Sequence, residues 1–154
     1  MRRISAALVA LSLLVPAVAQ AVDGDKAAYI GGTLQVKEKA EGPFSTQDPT
    51  QVVFTPRNTS PVLIPYTSIE SLEYGQKAGR RVAVAVLVSP LALFSKKRNH
   101  YLTITYKDAQ GVDQAAVLEL GKDIVRTTLT VLELRSKKKI EFQDAEARKA
   151  LGGT

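Results

Sequence analysis

From Val82 to Phe94 the chain is apolar at every position except Ser89 and Pro90, and this run constrains the fold more than any other stretch. Val82, Val84, Val86 and Val88 alternate with Ala83, Ala85 and Leu87, so a strand here has branched side chains on one face and mostly small ones on the other. A strand that is apolar on both faces is normally covered on both. The run is too short to span a bilayer. Three arrangements fit: a central core strand, an apolar hairpin tip that dips into a membrane interface, or a sticky face for a protein partner. Leaving Leu87, Leu91, Leu93 and Phe94 in water would forgo about 1.5 to 3 kcal/mol each, a sum comparable with the stability of a whole domain. Those four side chains are therefore expected to be buried against something, and they are the candidate apolar contact residues.

Cations border the run on both sides: Arg80 and Arg81 before it, then Lys96, Lys97 and Arg98, followed by His100. One account is a solvated turn whose lysines protect a strand edge from aggregation. The other is a site for a head group or phosphate, since lysine and arginine on a connection between strands present many donors to one anion. Beside an anionic lipid surface the five Lys and Arg side chains add about 1 kcal/mol apiece, at most roughly 5 kcal/mol and an affinity on the order of 0.1 to 1 mM. Charge alone would make a weak, salt-sensitive binder.

The amino end carries an address. Arg2 and Arg3 precede an apolar block from Ile4 to Val15, and Pro16-Ala17-Val18-Ala19 supplies the small residues that a signal peptidase reads. Cleavage after Ala19 fits best, with Ala21 as the alternative. The protein is thus expected to be exported, periplasmic or secreted. With no cysteine near the cut it is not lipidated, and with none anywhere it has no disulfide. Of the formal +6, Arg2 and Arg3 leave with the leader, so the mature chain carries 19 basic and 15 acidic side chains. That mild excess favours solubility and weak attraction to anionic surfaces, and it does not argue for nucleic acid.

The remainder divides into a polar lead-in over 20–27, one β domain over 28–142, and a polar, partly helical tail over 143–154. Ala28-Tyr29-Ile30 and Leu34-Gln35-Val36 read as a strand broken by a bulge at Gly31-Gly32, in preference to a phosphate loop, because no helix start follows. Lys37 to Pro49 is polar, with Gly42-Pro43 and Asp48-Pro49, and reads as a loop. Gln51 to Thr55 is a short strand closed by Pro56-Arg57-Asn58, and Asn58-Thr59-Ser60 a plain turn. Pro65, which has no N–H for a ladder, places Val62-Leu63-Ile64 at an edge or a bend. Tyr101 to Tyr106 alternates, with Leu102, Ile104 and Tyr106 on one face; Lys107 to Gly111 turns the chain, and Gln114 to Leu120 returns it. A helix over about 123–135, capped by Asp123, gathers Ile124, Val125, Leu129, Val131 and Leu132 on one side. Lys137-Lys138-Lys139 sits at its negative end, a favourable location that requires no ligand. Ile140 to Phe142 completes the pattern as a short strand.

Ile64-Pro65-Tyr66-x-x-Ile69-x-x-Leu72, preceded by a short strand holding Phe54 and followed by further strands and one terminal helix, resembles bacterial pleckstrin-homology-like and GRAM-like domains over roughly Tyr29 to Arg135. The resemblance implies a mainly β fold: an orthogonal sandwich or partly open barrel of about six to seven antiparallel strands, capped by a helix. It also implies a cationic loop as ligand site, since in such domains a loop between early strands often serves that purpose. The basic cluster here follows the fourth apparent strand instead, so only the general idea of a cationic loop carries over.

Little in the chain suggests chemistry. One histidine and no cysteine rule out the usual zinc and redox sites, no Gly-x-Ser-x-Gly occurs, and His100 reads as a strand-edge residue in preference to a catalytic base. Asp108, Asp113 and Glu119 lie near a turn, but sequence does not bring them together. The expectation is a non-catalytic binding module without cofactor or metal. It would meet an anionic lipid or envelope surface through Arg80, Arg81, Lys96, Lys97, Arg98 and His100. The competing expectation is an assembly protein that pairs with another protein through Val82 to Phe94.

Overall fold

The computed structural model describes residues 25–77 and 99–152. The strands are β1 (Lys26–Gly32), β2 (Glu41–Ser45), β3 (Gln51–Phe54), β4 (Val62–Pro65), β5 (Ile69–Gly75), β6 (His100–Lys107), β7 (Asp113–Leu120) and β8 (Ile140–Phe142). A single 3-10 turn, Tyr66–Ser68, links β4 to β5; helix α1 (Val125–Ser136) precedes β8 and helix α2 (Ala145–Ala150) follows it. The strands form one sheet in the order β4-β3-β2-β1-β7-β6-β5-β8, antiparallel except where β8 lies parallel to β5. The expected class is borne out: mainly β with one main C-terminal helix. Among the described residues the sheet is not closed, since β4 and β8 are its two edges, and it has eight strands where about six to seven were expected.

Both halves of the sheet feed one hydrophobic cluster. Phe44, Val52, Phe54 and Ile64 from β2 to β4 share it with Leu72, Tyr74, Leu102, Ile104 and Leu118 from the other half, and with Val125, Leu129 and Leu132 from α1. Residues from opposite ends of the strand order meet only if the sheet bends over on itself, which gives the molecule its sandwich-like form, with α1 filling the opening.

The β6–β7 hairpin follows its sequence closely. Asp108 Oδ1 accepts hydrogen bonds from the amides of Gln110 and Val112, both at 2.9 Å, and Gly111 takes φ +78°. Those amides, Val112 first, hold the Asp108 carboxyl below its usual range. Pro65 lies on edge strand β4, as a residue without an N–H requires.

Several boundaries differ from expectation. The bulge at the paired glycines is present, as a register shift between Tyr29 and Gly31, but the strand ends at Gly32. There φ is +132°, and a Cβ would stand 2.1 Å from the Ala115 carbonyl oxygen, so only glycine fits. Leu34 and Val36 are not strand; they fold back onto the edge of the core, with the Leu34 amide donating to the Tyr29 hydroxyl at 3.2 Å. The expected loop from Lys37 to Pro49 contains β2. Gly-Pro usually breaks a strand, but at Gly42 a Cβ would lie 1.9 Å from the Thr55 carbonyl oxygen, so the glycine permits the close approach of β2 and β3. Phe44 then packs on Phe54 with ring centroids 6.4 Å apart.

Asp123 does not cap α1. The helix starts one turn after Gly121, whose carbonyl accepts from the Ile124 amide at 3.2 Å, and Ile124 stands at the N-cap with no side-chain cap. At the other end Lys137 is itself the left-handed cap, φ +61°, with its amide on the Glu133 carbonyl at 3.1 Å. In the tail, Asp144 caps α2, its Oδ1 accepting from the Ala147 amide at 2.7 Å. No helix among the described residues is long and apolar enough to cross a membrane.

Candidate functional site

Two connections between the early strands meet in a groove. The β1–β2 connection folds back on β1: the Lys39 amide donates to the Tyr29 carbonyl at 2.7 Å, and the Tyr29 amide to the Ala40 carbonyl at 3.0 Å. The β3–β4 connection is tied beside it by the Arg57 amide, which donates to the Glu41 carbonyl at 3.0 Å. Lys39 (φ +62°) and Asn58 (φ +59°) both take the left-handed conformation. For lysine that region is uncommon, and here the flanking hydrogen bonds impose it. Between the two connections lies a cavity of about 550 Å³ lined by Lys37, Glu38, Lys39, Ala40, Glu41, Arg57, Asn58 and Thr59.

Three cations and two carboxylates thus face one space. Lys107 pairs with Glu70 and Asp113, whereas Lys37, Lys39 and Arg57 have no ion-pair partner among the described residues. Behind the groove the buried Tyr29 phenol is pushed up to about 12, chiefly by burial, with the Glu38 charge adding to it. An unpaired cationic trio with an amide and a hydroxyl beside it offers donors to an anion.

Sequence reasoning missed these residues. Lys37 and Lys39 stood in a polar loop and Arg57 in a turn, and only the unrecognised β2 brings the two together. The alternation of cations around Glu38 and the turn at Pro56-Arg57-Asn58 were the available signals.

Of the contact residues expected from sequence, Arg80, Arg81, Lys96, Lys97 and Arg98 lie outside the described residues, as do Leu87, Leu91, Leu93 and Phe94. His100 is described, and it is half-buried at the start of β6. Its Nδ1 shares a hydrogen bond of 2.6 Å with the Tyr74 hydroxyl, the two rings stack at 23° with centroids 6.0 Å apart, and Phe142 meets Tyr74 edge-on at 6.1 Å. Burial lowers the imidazole pKa and pushes the Tyr74 phenol up to about 12. The ring is therefore neutral at pH 7.

This pair sets a pH response. In the unfolded chain the imidazole takes its proton near 6.5, in the folded chain only at lower pH, so stability is full above about 6.5 and declines as pH falls below it. Tyr29 and Tyr74 act at the other end: unfolded phenols ionise near 10 and these near 12, so stability declines as pH rises through that interval. Thermal melts of His100→Gln should lose the slope between pH 7 and 5 that the parent shows. An unchanged slope would assign it to other groups.

Asp108, Asp113 and Glu119 do not converge. Asp108 serves its turn, Asp113 pairs with Lys107, and Glu119 stands opposite Tyr101, six residues along β7 and on the order of 20 Å away. Compared with protein-family models and with curated proteins, the chain matches none.

Charge is divided unevenly along the chain. The described residues hold 14 basic and 14 acidic side chains. No carboxylate occurs between Glu73 and Asp108, while Arg80, Arg81, Lys96, Lys97 and Arg98 fall within that interval. The surplus of the mature chain therefore belongs to the β5–β6 connection.

Proposed function

We propose that the protein is a non-catalytic binding module of the pleckstrin-homology-like or GRAM-like kind, exported to the cell envelope, where it attaches to phosphate-bearing head groups of an anionic surface. The observation that carries this reading is the groove of Lys37, Lys39 and Arg57, three cations without ion pairs between connections of the early strands. The cationic β5–β6 connection supports it by adding attraction of the same sign. Gly75 is the cross-strand partner of Tyr101, so that connection leaves and re-enters the sheet at one place.

Sedimentation with vesicles tests the reading. Retention is expected on anionic vesicles at low salt, with little on zwitterionic ones and a steep loss as salt rises. Lys37→Gln, Lys39→Gln and Arg57→Gln together should weaken retention by about a hundredfold, at roughly 1 kcal/mol per cation. Absence of retention on anionic vesicles at low salt would remove the function. Undiminished retention of the triple variant would remove the groove from it.

A further inference from the structure

Among the described residues the sheet has two edges, β4 and β8, and an edge strand presents backbone groups with which a foreign strand can pair. Which groups face outward follows from the ladders. The Tyr66 amide donates to the Thr50 carbonyl at 3.0 Å, while Val52 and Phe54 of β3 stand opposite Ile64 and Val62. On the other side of β3 the Thr55 amide donates to the Pro43 carbonyl at 2.9 Å, so the odd-numbered residues from Gln51 to Thr55 bond to β2 and the even-numbered ones to β4. Hydrogen-bonded pairs alternate along an antiparallel ladder, so Val62, Ile64 and Tyr66 turn their backbone groups inward and positions 61, 63 and 65 turn theirs out. Two of these three are Pro61 and Pro65, which have no N–H to give. Leu63 keeps one, and its side chain, 51% exposed, stands in water. On β8 the Gln143 amide donates to the Tyr74 carbonyl at 3.0 Å, which sets Glu141 inward as well and turns Ile140 and Phe142 outward. The outward Ile140 N–H is already taken: the Glu133 carboxylate, in the last turn of α1, accepts it at 2.8 Å.

We propose that both edges are closed to strand addition, β4 by Pro61 and Pro65 and β8 by Glu133, so that the protein remains a single copy and meets partners through side chains and loops. A strand added to an edge draws its affinity from main-chain hydrogen bonds at every second residue. Along β4 it would find a donor at Leu63 with a proline two residues away on either side. Along β8 it would have to displace a carboxylate that already holds the first outward N–H, and past Phe142 the edge ends where Asp144 turns the chain into α2. Prolines and charged side chains at such positions are common protections of an exposed edge. The partner class refused here is the one that reads backbone, an extended peptide or a second copy of this chain. This goes beyond the head-group reading and does not rest on it.

Amide exchange in the full chain tests β4. The Leu63 N–H should exchange within about tenfold of an unstructured amide, and those of Ile64 and Tyr66 at least about a hundredfold more slowly. A Leu63 amide as slow as theirs would mean that the edge is already occupied, and would overturn the proposal. Pro61→Thr together with Pro65→Thr restores both donors, and in sedimentation equilibrium the mass of this variant should rise about twofold or more with concentration while the parent stays monomeric. A parent that dimerises, or a double variant that stays monomeric with Ile64 and Tyr66 still protected, would overturn it equally. If the two changes together unfold β4, Pro61→Thr alone, which precedes the strand, carries the same test. At the other edge Glu133→Ala frees the Ile140 N–H and should associate, whereas Glu133→Gln, which keeps an acceptor, should not; equal behaviour of these two variants would remove Glu133 from the proposal.

Discussion

Truncating Leu132 to alanine is expected to lower the unfolding free energy by about 2–5 kcal/mol, while the same truncation at Leu134, two residues along the same helix, changes it by no more than about 0.5 kcal/mol. Leu132 is 0% exposed and belongs to the cluster that joins both halves of the sheet; Leu134 is 65% exposed. Removing the Leu132 side chain leaves a cavity where α1 fills the bend of the sheet. Other members of the cluster, such as Ile104 and Leu118, are held by their own strands and cannot all collapse into it. Against a total stability of about 5–15 kcal/mol, that loss is a large fraction. Denaturant titration reads the difference as a shift of the midpoint at constant slope. Equal midpoints for the two variants would mean that α1 does not close the core.

Leu132 also shows what the sequence makes legible. Helical spacing of Val125, Leu129 and Leu132 marks the buried face without any knowledge of the partner, because the period is a local property of the chain. The β6–β7 hairpin is legible for the same reason: strict alternation meets a turn whose aspartate and glycine are read from adjacent residues. What fails is whatever depends on two distant segments. β2 is hidden because Gly42-Pro43 carries a local signal for a turn, and the close approach to Thr55 that favours glycine there is visible only once β3 lies beside it. The helix start is displaced for a related reason, since a backbone turn at Gly121 delivers the chain and Asp123 is left outside.

The groove is illegible on the same grounds. Lys37 and Lys39 are separated from Arg57 by β2 and β3, and no periodicity relates them. Only the paired loops, fixed by the Arg57 amide on the Glu41 carbonyl, make three ordinary surface cations into a cluster. His100 illustrates the opposite error. Its neighbours Lys97 and Arg98 suggest a cationic site, but at the start of β6, paired with Leu120 of β7, it hydrogen-bonds Tyr74, and burial keeps it neutral. The sequence reads it as a strand-edge residue; it is the first residue of β6, an interior strand, and its partner Tyr74 is unseen.

Replacing Arg135 with methionine should cost about 3 kcal/mol, because hydrogen bonds from a charged donor contribute about 1.5–3 kcal/mol and their loss strands the acceptors. A basic residue in the last turn of a helix is readily explained by the helix dipole, worth well under that amount at an exposed site. The structure gives Arg135 a different task. Its Nη1 donates to the Thr46 carbonyl at 2.6 Å, to the Asp48 carbonyl at 2.5 Å and to the Tyr66 hydroxyl at 3.2 Å, and its guanidinium lies 5.4 Å from the centre of the Tyr66 ring. One side chain thus ties α1 to the β2–β3 connection and to the 3-10 turn before β5, two segments that share no strand pairing with the helix. Methionine keeps much of the stem and its contact with the Tyr66 ring, so the loss reports the donors; alanine would confound the two. Lysine retains the charge and three N–H donors, but its side chain ends short of the Nη1 position and has no planar face to lay over the Tyr66 ring, so it is expected to recover less than half of the loss. If the dipole were the whole explanation, lysine would restore full stability and methionine would cost only a few tenths of a kcal/mol, so equilibrium unfolding of Arg135→Met and Arg135→Lys side by side decides between a charge at a helix end and a staple across the fold.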